Sequence, residues 1–283
     1  MGTGKPSRRR TKFARDEALG EWSFGRAAGA TSGIGPSEAA AEGAIQDPYL
    51  GSGQSVNALR QVAREIVACD RCPRLRAHCL EVAATRRAAY RKETYWGLPV
   101  PGFGDPQAWL LLIGLAPGAH GSNRTGRMFT GDRSGEWLYA ELHRQALSDR
   151  ETSERVGDGL RLNGVYITAA GRCAPPGNKP LPEELDRCRP FLVRELEALR
   201  SVRVRLALGR IGHDAYLAAR LAMGLANLKP KPPFGHGAAV ALPEGGWLLG
   251  SYHRSQQNTS TRVLTPAMWR DVFLKAKALR DRV

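Results

Sequence analysis

Between residues 109 and 280 the chain repeats one pattern: a short apolar run, a loop, then an amphipathic helix. The apolar runs fall at 109–113 (WLLLI), 165–169 (VYITA), 204–208 (VRLAL) and 247–249 (WLL), each strand-sized and bounded by turn residues. Helical spacing is expected near 136–146, 182–199, 213–223 and from Thr265 to about Arg280. Strands that alternate with helices need crossover connections, which are right-handed and leave the strands parallel. The expected fold is therefore α/β, with three α/β/α layers around a central four-stranded, mainly parallel sheet. In such sheets chemistry gathers on the loops at the carboxyl ends of the strands.

Upstream of this pattern, residues 1–54 are rich in Gly, Ala and Ser without sustained periodicity and are expected to form a disordered tail. Order is expected to begin near Ser55, where Val56, Leu59, Val62, Ile66 and Val67 predict a helix running to Cys69. The stretch from there to about Asp105 is dense in turn residues and is expected to be irregular. Residues 55–283 are expected to form a single domain, long enough for a real hydrophobic core. No apolar run approaches the length of a membrane span, and Arg8, Arg9 and Arg10 have no apolar block behind them. A secretory signal is not expected, so the cytoplasm is the expected compartment.

The charge sits in the body. The chain has 42 Lys and Arg against 27 Asp and Glu, a formal +15, and residues 1–48 contribute only one unit of that excess. A folded body this basic attracts polyanions through counterion release. That suggests nucleic acid, and a merely soluble arginine-rich protein fits the charge equally well.

Five cysteines are present: Cys69, Cys72, Cys79, Cys173 and Cys188. Cys69 and Cys72 form a CxxC pair, and Cys173 and Cys188 flank a proline-rich segment. Grouped thiols in a reducing compartment suggest metal or redox chemistry rather than disulfides. Spacing leaves three readings open: an iron–sulfur cluster, a Zn(Cys)4 site, and ordinary buried cysteines. Cys79 is expected to be a small core hydrophobe.

Residues 114–135 read GLAPGAHGSNRTGRMFTGDRSG, with six glycines in 22 residues, so the backbone can approach a ligand closely. The Gly-Lys-Ser/Thr ending of a phosphate loop is missing, which excludes that class of NTPase. Phe129 offers an aromatic platform, Asp132 a base or water-holder, and Asn123, Arg124 and Arg127 hydrogen-bond donors. An aromatic beside a carboxylate in a basic, flexible loop suits a planar base.

Three segments together resemble the uracil-DNA glycosylase superfamily, and most closely its type-5, or family B, iron–sulfur branch. They are GLAPGAHGSNRTGRMFTGD at 114–132, CAPPGNKP at 173–180 and SYHRSQQN at 251–258, with the CxxC upstream. The resemblance spans roughly residues 55–280. It implies a DNA repair enzyme that flips a damaged base out of DNA and hydrolyses its N-glycosidic bond, leaving an abasic site. It also implies a [4Fe-4S] cluster held by Cys69, Cys72, Cys173 and Cys188 in a dedicated segment, tying residues 69–105 to the proline-rich loop. By the same resemblance Asp132 positions or activates water or stabilises the cationic sugar, and Phe129 stacks on the flipped base. His253 contacts the base carbonyl or adjacent phosphate, and Asn178 is an active-site asparagine. Gly114, Ala116, Gly118, His120, Asn123 and Arg127 would complete the substrate-binding lining, His120 without a chemical step. Read without the resemblance, Asp132 is a helix cap, Phe129 a core aromatic, His253 a structural histidine and Asn178 a turn residue. The implied partner is DNA carrying uracil or other damaged bases. A monomer working at the bacterial nucleoid, with downstream base-excision-repair enzymes, is expected.

Two departures bear on selectivity. Leu115 stands where several branches of the superfamily carry a polar residue that acts on water, and Ala169 and Ala170 occupy the strand end where stricter enzymes place a uracil-reading Asn. Both imply a tolerant pocket that also accepts bases such as hypoxanthine or ethenocytosine. Lys179 is the only lysine in the three loops, so a monofunctional glycosylase without a Schiff-base lyase step is expected. Two rival classes remain. A non-catalytic nucleic-acid-binding protein with a Zn(Cys)4 site leaves Phe129, Asp132 and His253 without purpose. An iron–sulfur electron carrier needs neither the basic body nor the glycine-rich loop.

Overall fold

The computed structural model describes Met1, residues 53–253 and residues 263–282. The expected tail falls outside these residues except for Met1 and its last two positions, as do residues 254–258 of the third motif.

The four apolar runs form the centre of a six-stranded sheet. Strands β1 (Phe103–Gly104), β2 (Leu110–Gly114), β3 (Val165–Ala169), β4 (Val204–Leu208), β5 (Ala239–Ala241) and β6 (Trp247–Ser251) lie in the order β1-β3-β2-β4-β6-β5. The inner four are parallel, with Leu112 opposite Ile167 on one side and Leu206 on the other. The outer two are antiparallel additions beyond the expected four strands. At two and three residues they are too short to show a period in the sequence.

Helices cover both faces because β2 is buried at every position. Leu110 and Leu112 pack with Ile167, Leu206 and Leu249 beneath α4 (Arg133–Arg144) and α7 (Pro266–Arg280). On α7, Trp269, Val272, Phe273, Ala276 and Leu279 form the inner stripe. Its start is fixed by Thr265, whose Oγ1 accepts the Met268 N–H at 3.2 Å, and by Pro266 in the first turn. On the other face Leu111, Ile113, Ala207 and Leu248 pack with Leu59 of α1 (Gln54–Val67), Ala198 of α5 (Pro182–Ala198) and Tyr216 of α6 (Arg210–Ala222).

The stretch expected to be irregular contains a helix, α2 (Pro73–Thr85). Its inner stripe is only Leu75, Cys79 and Ala83, one residue every fourth position, which is too narrow to stand out as a periodic face. A single turn, α3 (Ser122–Thr125), lies inside the glycine-rich loop. No helix among the described residues is long and apolar enough to cross a membrane.

The chain winds from β2 to β3 on one side and then crosses back to β4 on the other. The crevice at the carboxyl ends of β2 and β4 is therefore the point where the winding reverses, the usual ligand position in open α/β sheets. Leu112 sits at the middle of the sheet with no exposure. Leu112→Ala is expected to cost about 2–5 kcal/mol, read as a lower urea midpoint with an unchanged slope.

Candidate functional site

The glycine-rich loop leaves β2 at Gly114 and returns to α4 at Asp132. It is fastened to the end of β3, since the Ala170 and Gly171 N–H groups donate to Gly114 O at 3.0 Å and Leu115 O at 2.9 Å. Phe129 is displayed over the strand end. A Cβ at Gly114 would lie 2.6 Å from Phe129 Cζ, so only glycine admits the ring there. Phe129 has φ +54°, a conformation an aromatic residue adopts only when its surroundings impose it. They do: Met128 and Thr130 on either side are buried, the Tyr139 hydroxyl donates to Met128 O at 2.9 Å, and Gly135 packs directly on Phe129 O. The ring itself stays half-buried.

Asp132 is the N-cap of α4. Its Oδ1 accepts the Ser134 and Gly135 N–H groups, both at 3.0 Å. Its Oδ2 lies against the backbone of Gly118 and Gly121, where added Cβ atoms would come within 3.0 and 2.3 Å. One oxygen therefore holds the helix while the other faces the loop. His253 follows β6 and packs against Gly209, the residue before α6; a Cβ at Gly209 would be 3.2 Å from the histidine's Cβ. Burial lowers the His253 pKa, and the nearby Asp132 carboxylate works in the opposite direction. The structure thus brings Gly114, Gly118, Phe129, Asp132 and His253 together at the carboxyl ends of the strands.

Other expected residues have different neighbours. Ala116 lies beside Gly171, on the fastened part of the loop. Asn123 is buried, and its Nδ2 donates to Cys79 O at 3.2 Å and Ala119 O at 3.4 Å, which ties the loop to α2. Arg127 is buried in a two-pronged ion pair with Asp158 at 2.8 and 2.7 Å and also donates to Ser153. Burial raises the Asp158 pKa, but Arg127 and the surrounding N–H donors outweigh it and bring the carboxyl well below its usual range. His120 has its Nδ1 3.1 Å from the Tyr95 hydroxyl. Asn178 is exposed in a turn at φ +58°, its N–H donating to Pro175 O at 3.1 Å. Among the described residues no contact joins it to Asp132 or His253.

His236 was not singled out from the sequence, yet it sets the approach of the third loop. Its Nε2 donates to Met268 O at 3.2 Å, so Nδ1 is the acceptor for the Tyr252 N–H at 3.3 Å. That arrangement requires the neutral imidazole, in keeping with the lowering of its pKa by burial. The available signal was its place between Gly235 and Gly237 ahead of a strand.

The cysteines gather at the edge of this region. Cys69 follows α1, Cys72 is the N-cap of α2, Cys173 follows β3, and Cys188 lies on α5. Cys69, Cys72 and Cys188 each interact electrostatically with Cys173. Arg71, Arg187, Arg76 and Arg172 stand near Cys69, Cys72, Cys173 and Cys188 respectively, and the Cys79 thiol faces Cys173. Cys79 is fully buried, with its Sγ 3.7 Å from Ala174 O. Burial pushes the Cys188 thiol up to about 11. Among the described residues no three His, Cys, Asp or Glu side chains converge as ligands of one metal ion. The donor set nevertheless suits a soft, multi-centre group: four thiols and no histidine, and a buried guanidinium, Arg172, with two nitrogens lacking an acceptor.

The family model for the uracil DNA glycosylase superfamily matches residues 101–277. A type-5 uracil-DNA glycosylase of Thermus thermophilus is 56% identical over 214 residues, covering 76% of this chain and 94% of that protein. A type-5 uracil-DNA glycosylase of Mycobacterium bovis is 51% identical over 215 residues, covering 76% and 79%. A type-4 uracil-DNA glycosylase of Archaeoglobus fulgidus is 31% identical over 156 residues, covering 55% and 61%. The chain belongs to the uracil-DNA glycosylase superfamily and is a DNA glycosylase, a hydrolase of N-glycosidic bonds. Within that superfamily it falls in the type-5 branch.

Four histidines, His120, His213, His236 and His253, have their pKa values lowered first by burial. Below their unfolded value of about 6.5 the unfolded chain binds protons that the folded chain does not. Stability is therefore expected to be full above about pH 6.5 and to fall as the pH drops below it. Urea midpoints at pH 7 and pH 5 check this, and His236→Gln should flatten the difference.

Proposed function

We propose that this enzyme excises uracil from DNA, and that the site formed by Phe129, Asp132 and His253 performs the hydrolysis. The juxtaposition of these three side chains at the strand ends carries the proposal. Hydrolysis adds water to C1′ of the sugar while the bond from C1′ to the base nitrogen breaks, the electron pair leaving with the base. The transition state is cationic at the sugar and anionic at the base. Phe129 supplies a stacking surface for the flipped base, fixed in place before any ligand arrives. Asp132, with Oδ1 committed to the helix, has Oδ2 available to hold the attacking water and offset the sugar cation. His253, kept neutral near pH 7 by burial, can donate to the base as negative charge develops there. His120 is engaged by the Tyr95 hydroxyl and Asn178 holds a turn, while Asn123 and Arg127 act by bracing the glycine-rich loop.

Tolerance is supported by apolar surfaces. Ala169 and Ala170 are buried at the end of β3, and Leu115 stands beside Gly114, so none of the three offers a polar side chain to select uracil. Hypoxanthine and ethenocytosine are therefore within the proposed range. Lys179 is exposed, outside any enclosed pocket that would desolvate its amine, so hydrolysis proceeds without a Schiff base.

The same reading assigns a [4Fe-4S] cluster to Cys69, Cys72, Cys173 and Cys188, within one catalytic unit spanning residues 55–283. Bound there, it would cross-link the segment around α1 and α2 to the loop after β3. The protein already draws these parts together. Arg74 donates to both carboxylate oxygens of Glu184 at 2.7 Å, and Arg187 donates to Arg71 O at 3.3 Å.

The decisive assay uses oligonucleotides carrying one uracil, with alkali to reveal abasic sites. Asp132→Asn retains a helix cap and removes the charge. It is expected to lose about 10²–10⁴-fold in rate with little change in stability. Full activity in this variant would move the decisive role to His253 or Asn178, and an inactive wild type would overturn the reading. On hypoxanthine and ethenocytosine substrates the wild type is expected to release the base, and borohydride should trap no covalent adduct. Activity confined to uracil would refute the tolerant pocket.

A further inference from the structure

Arg172 lies between the cysteines and the core of the sheet. It precedes Cys173, and its side chain is 1% exposed. Nη2 donates to Glu195 Oε2 at 2.5 Å, and the same oxygen accepts from Thr168 Oγ1 at 2.6 Å. Glu195 is likewise 1% exposed. The residue is pinned from behind, since Arg172 O accepts the Val100 N–H at 2.7 Å. Yet Nε and Nη1 are both buried with no acceptor in the protein. Arg127 and Arg205 also leave a buried nitrogen without a partner, but in each it is Nε alone. A guanidinium cannot shed its proton, so a buried one with donors at two nitrogens unmet is a costly arrangement unless something supplies acceptors.

The surroundings indicate what that acceptor is. Arg172 is joined directly to Cys173, and Cys188 and Glu195 both lie on the buried face of α5, seven residues apart, so the guanidinium that reaches Glu195 lies along the helix face that carries Cys188. We infer that Arg172 is shared between two anions, with Nη2 serving Glu195 while Nε and Nη1 donate to sulfur of the group held by the four cysteines. This rests on the cluster assignment above and extends it to a residue that is not a ligand. An iron–sulfur cluster with four thiolates carries net negative charge, and both nearby positive charge and hydrogen bonds to its sulfurs raise its reduction potential. Glu195 tempers that effect by holding part of the guanidinium's charge. Arg172 and Glu195 therefore act on the cluster with opposite sign.

The test compares wild type, Arg172→Gln and Glu195→Gln, all purified anaerobically. Iron and sulfide per chain, the midpoint potential of the cluster and the rate of iron loss to a chelator are measured on each. Arg172→Gln is expected to lower the potential and speed iron loss several-fold, whereas Glu195→Gln is expected to raise the potential. Opposite shifts separate a charge partner from a merely structural residue, whose loss would loosen the site in both variants alike. Glu195→Gln leaves the arginine in place, so it decides the matter if Arg172→Gln does not fold. Equal potentials and chelation rates in iron-loaded proteins would overturn the role of Arg172. Wild type without iron or sulfide would instead overturn the cluster assignment itself, so the two failures are distinguishable.

Discussion

The rest of the molecule depends on the complete burial of β2. A strand reading Leu-Leu-Leu-Ile-Gly has no face to give to water, so helices must cover the sheet on both sides and neighbouring strands must flank it. Parallel flanking strands send every long connection over a face, and the strand-to-helix loops all open at the carboxyl end. The glycine that ends this strand is therefore placed by the hydrophobic effect at the one position where a ligand can reach several loops at once. Its lack of a side chain then lets the tip of the Phe129 ring come up against the strand end.

Capping and chemistry are often offered as rival explanations of a loop aspartate, and in the function proposed above they divide between the two oxygens of Asp132. The cap fixes the carboxylate with two backbone N–H groups, which removes the rotational freedom a surface side chain would keep. The oxygen left over is then held at a defined position relative to the Gly118–Gly121 backbone. A helix start thus does for this residue what a second hydrogen-bonding side chain does at many other sites.

Much of this was legible in the sequence. The inner four strands and the large helices show their periods directly, and the glycine-rich loop with Phe129 and Asp132 declares itself by composition. Asn123 and Arg127 were not separable from ligand donors, because a buried amide or guanidinium that braces a loop has the same chemistry as one that grips a substrate. Only the partners, Cys79 O and Asp158, tell them apart, and these lie 44 and 31 residues away along the chain. Helix α2 escaped because its buried stripe is narrow, and His236 because its role is a tautomer set by contacts from two other segments. The roles of Arg172 and Glu195 are hidden for the same reason, since neither residue belongs to a motif.

The two short antiparallel strands at the sheet margins have a consequence for life on a polymer. A basic protein that collects on DNA meets copies of itself at far higher density than in free solution, confined to one dimension. An open parallel sheet with long bare margins would invite those copies to zip together. Here the outermost strands are Phe103–Gly104 and Ala239–Ala241, two and three residues long. Margins that brief offer a neighbour too few backbone groups to pair with, so crowding along the duplex need not become aggregation.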